Sequence, residues 1–313
     1  MRALLALSLL SLTNAHYLQA QDLHSPVRPG RVLITPNGTV IAAQGRDQKL
    51  RIWRLPAQEP AVTIETHAAE LMSPALSNDG LFIAAGDRDG NYSVWDTRTG
   101  KLQWQYKSPY YAAAIAFDAA GKHLALAPAN EPVQIFDVQS GKKLLTLQPV
   151  PAGSQDIAFS PDGTRLATAC SDTAVRIYDT VTGKLLATYT GFLMEPLAIA
   201  FTPDGHHVVS GGGDQFIAMI DSATGKLVSK SAHLSDAVAG FQFSPDGKTM
   251  MVLLIHPPDL SVQLPLKVFD TATLNEQREW KPPANTLGGQ WTSDGHVVVA
   301  NAAANDIHIS RAW

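Results

Sequence analysis

Few side chains in this sequence have the types and spacing that covalent or metal chemistry requires. The ten histidines are scattered, and no pair stands at zinc-ligand spacing with cysteine or carboxylate partners. The single cysteine, Cys170, falls in the alternating run Arg165-Leu166-Ala167-Thr168-Ala169-Cys170. A nucleophilic thiol needs a basic, exposed neighbourhood, so Cys170 reads as a small buried hydrophobe. His206-His207 follows a tight turn and reads as solvated surface. The sequence contains no Gly-x-Ser-x-Gly elbow, phosphate loop or dinucleotide fingerprint. These residues predict no catalytic group, no metal and no cofactor.

Other residues suit recognition. Arg46 and Arg88 stand beside Asp47 and Asp89. Tyr110 and Tyr111 are adjacent, Phe192 and Met194 share the segment Gly191-Phe192-Leu193-Met194-Glu195, and His256 and Asp259 share His256-Pro257-Pro258-Asp259-Leu260. Tyr, Met and Arg are enriched at the centres of protein interfaces. Net charge is −4 with no run of Lys or Arg, which speaks against a nucleic-acid partner and against an acidic membrane surface. Side chains so far apart in sequence can act together only on a rigid frame.

A repeat supplies that frame. Turn pairs recur at Asn37-Gly38, Asp79-Gly80, Ala120-Gly121, Asp162-Gly163, Asp204-Gly205, Asp246-Gly247 and Asp294-Gly295, their glycines 42, 41, 42, 42, 42 and 48 residues apart. Asp-Gly and Asn-Gly supply the positive φ angles of tight hairpins. Sixteen residues after six of the glycines come Trp53-Arg54, Trp95-Asp96, Phe136-Asp137, Tyr178-Asp179, Ile220-Asp221 and Ser310-Arg311; after Gly247, Phe269-Asp270 follows 23 residues later. Two spacings locked together in seven units are not chance. Within each unit apolar and polar residues alternate with period two, in four short runs bounded by Gly, Pro, Asp and Thr. A third turn recurs as Thr99-Gly100-Lys101, Ser140-Gly141-Lys142, Thr182-Gly183-Lys184 and Thr224-Gly225-Lys226. Helical periodicity is nowhere sustained. Four antiparallel strands per unit of about 42 residues is a propeller blade, and the fold class is an all-β, single seven-bladed β-propeller.

The residues resemble the WD-repeat family. Ser160-Pro161-Asp162-Gly163, Leu166-Ala167, Asp172, Val175-Arg176-Ile177-Tyr178-Asp179 and Thr182-Gly183-Lys184 follow its consensus, and Val94-Trp95-Asp96 carries its signature dipeptide. The resemblance covers essentially everything after residue 16. Only His24, His67 and His233 stand where that family has its Gly-His histidine, and blade two, with His67, Asp89 and Trp95, comes nearest to its buried polar network. Bacterial propellers of the amine-dehydrogenase-like and YVTN kind share the Asp-Gly and Thr-Gly turns and are also similar.

The seventh unit lacks a fourth strand at its C-terminal end. The resemblance implies that Tyr17 to Leu23 pairs beside the last blade and closes the ring, which removes sheet edges open to aggregation. Ahead of that strand, Arg2 precedes an apolar stretch ending at Leu12, and Thr13-Asn14-Ala15 follows. This is a secretory signal pattern, too short for a membrane-spanning helix. We expect residues 1–15 to be a signal peptide and 16–313 the propeller, exported to the periplasm or extracellular space; a hydrophobic N-terminal strand of a cytoplasmic protein is the alternative. No later segment is apolar enough to cross a membrane as a helix.

In propellers of this family the turns between strands two and three share one face with the loops between blades. The irregular segments of this sequence fall on that face, and loops on a rigid scaffold carry binding residues. The expected function is a non-catalytic scaffold that binds a protein or peptide through Arg46, Arg88, Tyr110, Tyr111, Phe192, Met194, His256 and Asp259. The alternatives are a propeller enzyme or enzyme subunit of the oxidoreductase or lactonase kind, or a carbohydrate-binding module using Tyr110, Trp104 or Trp280. Channel-mouth metal sites use several carboxylates or histidines, and along the predicted innermost strands Asp156 stands almost alone.

Overall fold

The computed structural model describes residues 21–23, 25, 29–45, 47–66, 71–149, 153–255, 266–280, 286–291, 297–303 and 306–311. Within them lie 28 strands in seven antiparallel sheets of four. Blades one to six span 29–65, 71–107, 112–146, 154–189, 196–230 and 237–280, each with its strands in sequence order. Blade seven takes its inner three strands from 286–311 and its outer strand from Gln21–Leu23. Each innermost strand packs against the next, and Thr286–Trp291 of blade seven meets Pro29–Ile34 of blade one.

The closing strand pairs in the expected place, with Gln21 opposite Ile309, Asp22 opposite His308 and Leu23 opposite Ile307. Leu23 and Ile307 are fully buried and pack with Val32, Ile41 and Trp53 of blade one. All three paired residues follow Ala20, so this pairing is compatible with cleavage after either Ala15 or Ala20. Residues 17–20, the first half of the expected strand, lie outside the described residues.

Local chemistry explains the hairpins. In blade four the Ser160 hydroxyl donates to Asp162 Oδ1 at 2.5 Å and accepts from Arg165 N at 2.9 Å, while Asp162 Oδ1 also accepts from Thr164 N. Gly163 takes φ +71° between them, a value L side chains rarely adopt. At the other turn Asp179 Oδ1 accepts from Val181 N, Thr182 N and Thr182 Oγ1. These bonds hold the Asp162 and Asp179 carboxyls below the ordinary aspartate range.

Cores lie between blades. The one between blades four and five joins Ala167, Val175 and Ile177 to Phe192, Ile199, Val208 and Phe216. Cys170 is buried as expected, its Sγ 3.1 Å from Thr168 Oγ1. The innermost strand of every blade carries a bulge near its start, for example between Ser154 and Asp156 and between Pro196 and Ala198. A bulge sharpens strand twist and re-aims the extra residue's side chain.

Candidate functional site

The irregular face gathers two clusters of side chains, each at a junction between blades. At the junction of blades two and three, the loop after blade two folds over the turn at Gly90. Gly90 has φ +83°, and a Cβ there would meet Ser108 O and Tyr110 O at 2.3 Å, so only glycine allows this approach. Ser108 N donates to Gly90 O, the Ser108 hydroxyl donates to Glu131 Oε2 at 2.9 Å, and Tyr110 N donates to that hydroxyl. The loop is therefore fixed by buried Ser108, while Tyr110 and Tyr111 stand 40% and 46% exposed. Arg88 is exposed on the adjoining turn.

At the junction of blades four and five, Asp214 receives Leu193 N at 2.7 Å and Met194 N at 3.1 Å. Phe192 is buried, stacked on Phe216 at 5.1 Å and edge-on to Tyr189 at 5.6 Å. Lys230 Nζ lies 3.3 Å from the Phe216 ring centroid, a cation–π contact. Gln155, the bulged residue of blade four, donates to Ser171 Oγ and Glu195 Oε2. Leu193 and Met194 are left 90% and 56% exposed on a loop tied at both ends.

Of the expected binding residues, Arg88, Tyr110, Tyr111 and Met194 are at the surface. Arg46, His256 and Asp259 lie outside the described residues. Phe192 is a correction: it fills the core between blades four and five and offers no surface to a partner, because its ring is apolar and Phe216 gives it a stacking partner inside. Leu193, next to it, is the exposed residue that sequence reasoning passed over. A four-residue spacing signals another feature that was missed: Arg51 makes a two-point pair with Asp47 at 3.0 and 2.5 Å, and Arg176 one with Asp172 at 2.8 and 2.5 Å. These guanidiniums lower the Asp47 and Asp172 carboxyls against the opposing effect of burial, and they lock the turns to the third strands.

Two residues weighed for other chemistry have structural partners. Asp156 accepts from Ile157 N and, across the junction, from Ile199 N of blade five at 3.0 Å. Ser73 to Ala113 O and Trp291 N to Gln242 Oε1 link innermost strands of other blades in the same manner. Trp104 lies flat against Phe136 at 5.5 Å and donates to Val138 O. Among the described residues no three His, Cys, Asp or Glu side chains are grouped as a metal site would need.

The family profile described as "WD domain, G-beta repeat" matches residues 143–179 and 183–221. Each matched segment begins with the outer strand of one blade and ends with the third strand of the next, the same offset by which Gln21–Leu23 completes blade seven. The chain carries WD repeats in this stretch and has a seven-bladed propeller fold. A second profile, "Outer membrane protein assembly factor BamB", matches residues 19–144, in keeping with the likeness to bacterial propellers. The chain is 31% identical over 28% of its length to mouse "Guanine nucleotide-binding protein subunit beta-like protein 1". It is 24% identical over 36% of its length to "Small ribosomal subunit protein RACK1y" of Oryza sativa subsp. japonica. The matches span 28% and 34% of those two relatives' own lengths. The crystallised β-propeller domain of Swd1 from Myceliophteria thermophila superposes with a TM-score of 0.74 over 92% of this chain and 97% of that one. At 14% identity that likeness is one of fold.

Proposed function

We propose that this propeller is a non-catalytic scaffold that binds a protein or peptide through the face bearing the inter-blade loops. The observation that carries the reading is the loop between blades four and five. Leu193 and Met194 are 90% and 56% exposed, yet Asp214 grips their backbone and Phe192 anchors the segment. Apolar side chains presented on a fixed backbone lose little freedom on binding. Tyr110 and Tyr111 add amphipathic area on the same face, above a loop fixed by Ser108 and Gly90. Two relatives bear names that make them parts of assemblies, a "subunit beta-like" protein and a "small ribosomal subunit protein", which supports the class of function. The N-terminal leader pattern supports action outside the cytoplasm.

Affinity capture from the native source tests this with the wild type, a Leu193→Ser/Met194→Ser variant and a Tyr110→Ala/Tyr111→Ala variant. A partner held by the wild type should bind at least one double variant about tenfold or more weakly, as loss of interface anchors does, with the melting temperature unchanged. Equal capture by all three forms would remove this face as the binding surface.

A further inference from the structure

A second site lies on the opposite face and does not depend on the reading above. Four blades place a hydroxyl immediately after the third strand, at Thr97, Thr180, Ser222 and Thr271. In the first three, the hydroxyl donates to the turn glycine of its own blade: Thr97 to Gly80 O, Thr180 to Gly163 O at 2.7 Å and Ser222 to Gly205 O at 2.8 Å. Two of them also accept from an arginine of the preceding blade. Arg54 Nη2 reaches Thr97 Oγ1 at 2.8 Å, and Arg165 Nη1 reaches Ser222 Oγ at 2.8 Å. A guanidinium thus occupies the junctions of blades one and two and of blades four and five. Thr271 differs from its three counterparts. It is 9% exposed, and its Oγ1 is buried with no partner.

The preceding blade explains why no guanidinium reaches Thr271, as none reaches Thr180 from His123 and Asp137 of blade three. Arg54 ends the third strand of blade one, and Arg165 begins the second strand of blade four. These are opposing positions in the ladder, where Val40 faces Arg54 and Arg165 faces Asp179. In blade five the same two positions hold His207 and Asp221, and an imidazole lacks the reach of an arginine. Left at the junction of blades five and six is a groove of about 490 Å³ with Thr271 in its wall. Pro203, Met219 and Val228 supply apolar surface, and Asp204, Asp246 and Asp270 outnumber the single ammonium of Lys248. The hydroxyls of Thr202, Ser244 and Thr273 hold those three carboxyls below the ordinary range, so the groove is anionic at neutral pH.

We propose that this groove takes the arginine side chain of a partner polypeptide, in the position that Arg54 and Arg165 hold at their own junctions. The planar guanidinium has five donors in a fixed fork. One donates to Thr271 Oγ1 once that side chain turns about χ1, as Arg165 donates to Ser222, and the others donate to the carboxylates. The arginine stem lies along Met219 and Val228. A lysine ammonium, a point charge without the fork, satisfies fewer of these groups.

The test is a titration of the full chain with Nα-acetyl-arginine amide, followed by backbone amide NMR, with the citrulline and lysine amides as controls. Shifts at Gly247, Lys248 and Thr271 should saturate with a dissociation constant of about 1 mM, the value expected for a ligand of this size. Citrulline, which keeps the shape without the charge, should produce none, and lysine should bind several-fold more weakly. His207→Arg supplies the guanidinium from within and should abolish the shifts; Asp204→Asn, which needs no repacking, should weaken binding several-fold. Equal shifts with citrulline, shifts confined to other blades, no shifts at all, or binding that survives both substitutions would each overturn the assignment.

Discussion

Replacing the four equivalent hydroxyls one at a time should separate them by sign. Thr180→Val removes a half-buried bond to Gly163 O and leaves that carbonyl without the hydroxyl, at a cost of about 1 kcal/mol. Ser222→Ala strands an arginine nitrogen as well as a glycine carbonyl, and Thr97→Val removes the matching two bonds, leaving a 3.4 Å contact from Arg54 Nη2 to Gly80 O. They should therefore cost at least as much, since bonds from charged donors are worth about 1.5–3 kcal/mol. Thr271→Val replaces a buried hydroxyl that bonds to nothing by a methyl of the same shape. Its desolvation penalty disappears, and stability should stay level or rise by about 1 kcal/mol. Urea midpoints read the series directly, and in thermal melts about 1 kcal/mol corresponds to roughly 2 °C for a chain of this size. The reasoning fails if Thr271→Val loses as much stability as Thr180→Val, because the Thr271 hydroxyl would then have a partner in solution.

Two further outcomes follow from neighbouring residues and from the turns. Phe192→Ala should cost about 3–5 kcal/mol as a large-to-small change in a packed core, while Leu193→Ala, one residue on, should change stability by no more than about 0.5 kcal/mol; equal urea midpoints for the two variants would contradict the inward and outward assignment. Asp47, Asp172 and the turn aspartates Asp96, Asp137, Asp162, Asp179, Asp204, Asp221, Asp246 and Asp270 all have carboxyls lowered from the ordinary value of 3.8. Below that value the unfolded chain binds more protons than the folded one, so their stabilisation is complete above it and is lost as pH falls through the lowered values. Urea midpoints should hold from pH 7 to pH 5 and fall steeply below pH 4, and a midpoint unchanged at pH 3 would refute the linkage.

The ring was legible because its signals are local. Asp162, Gly163 and Ser160 settle their hairpin within six residues, and the same pattern of Ser or Thr with Asp or Asn before glycine recurs in six of the seven units. Five glycine intervals of 41 or 42 residues and one of 48, with one outer strand missing at the end, also pointed to where Gln21–Leu23 pairs. The candidate site was legible only in part. Periodicity located the loop at Gly191–Glu195, but Phe192, Leu193 and Met194 are all apolar, and hydrophobicity alone does not say which of them turns inward.

What the sequence determined by itself, then, is the number of blades, their turns and the closure, since each follows from residues a few positions apart or from a spacing repeated along the chain. The tertiary structure alone decided that Phe192 enters the core against Phe216 while Leu193 stays outside. It alone set Arg54 against Thr97, 43 residues away, and Arg165 against Ser222, 57 away, with nothing on Thr271. Those contacts cross from one sheet to the next, and whether a side chain spans the junction depends on its length and on what faces it there.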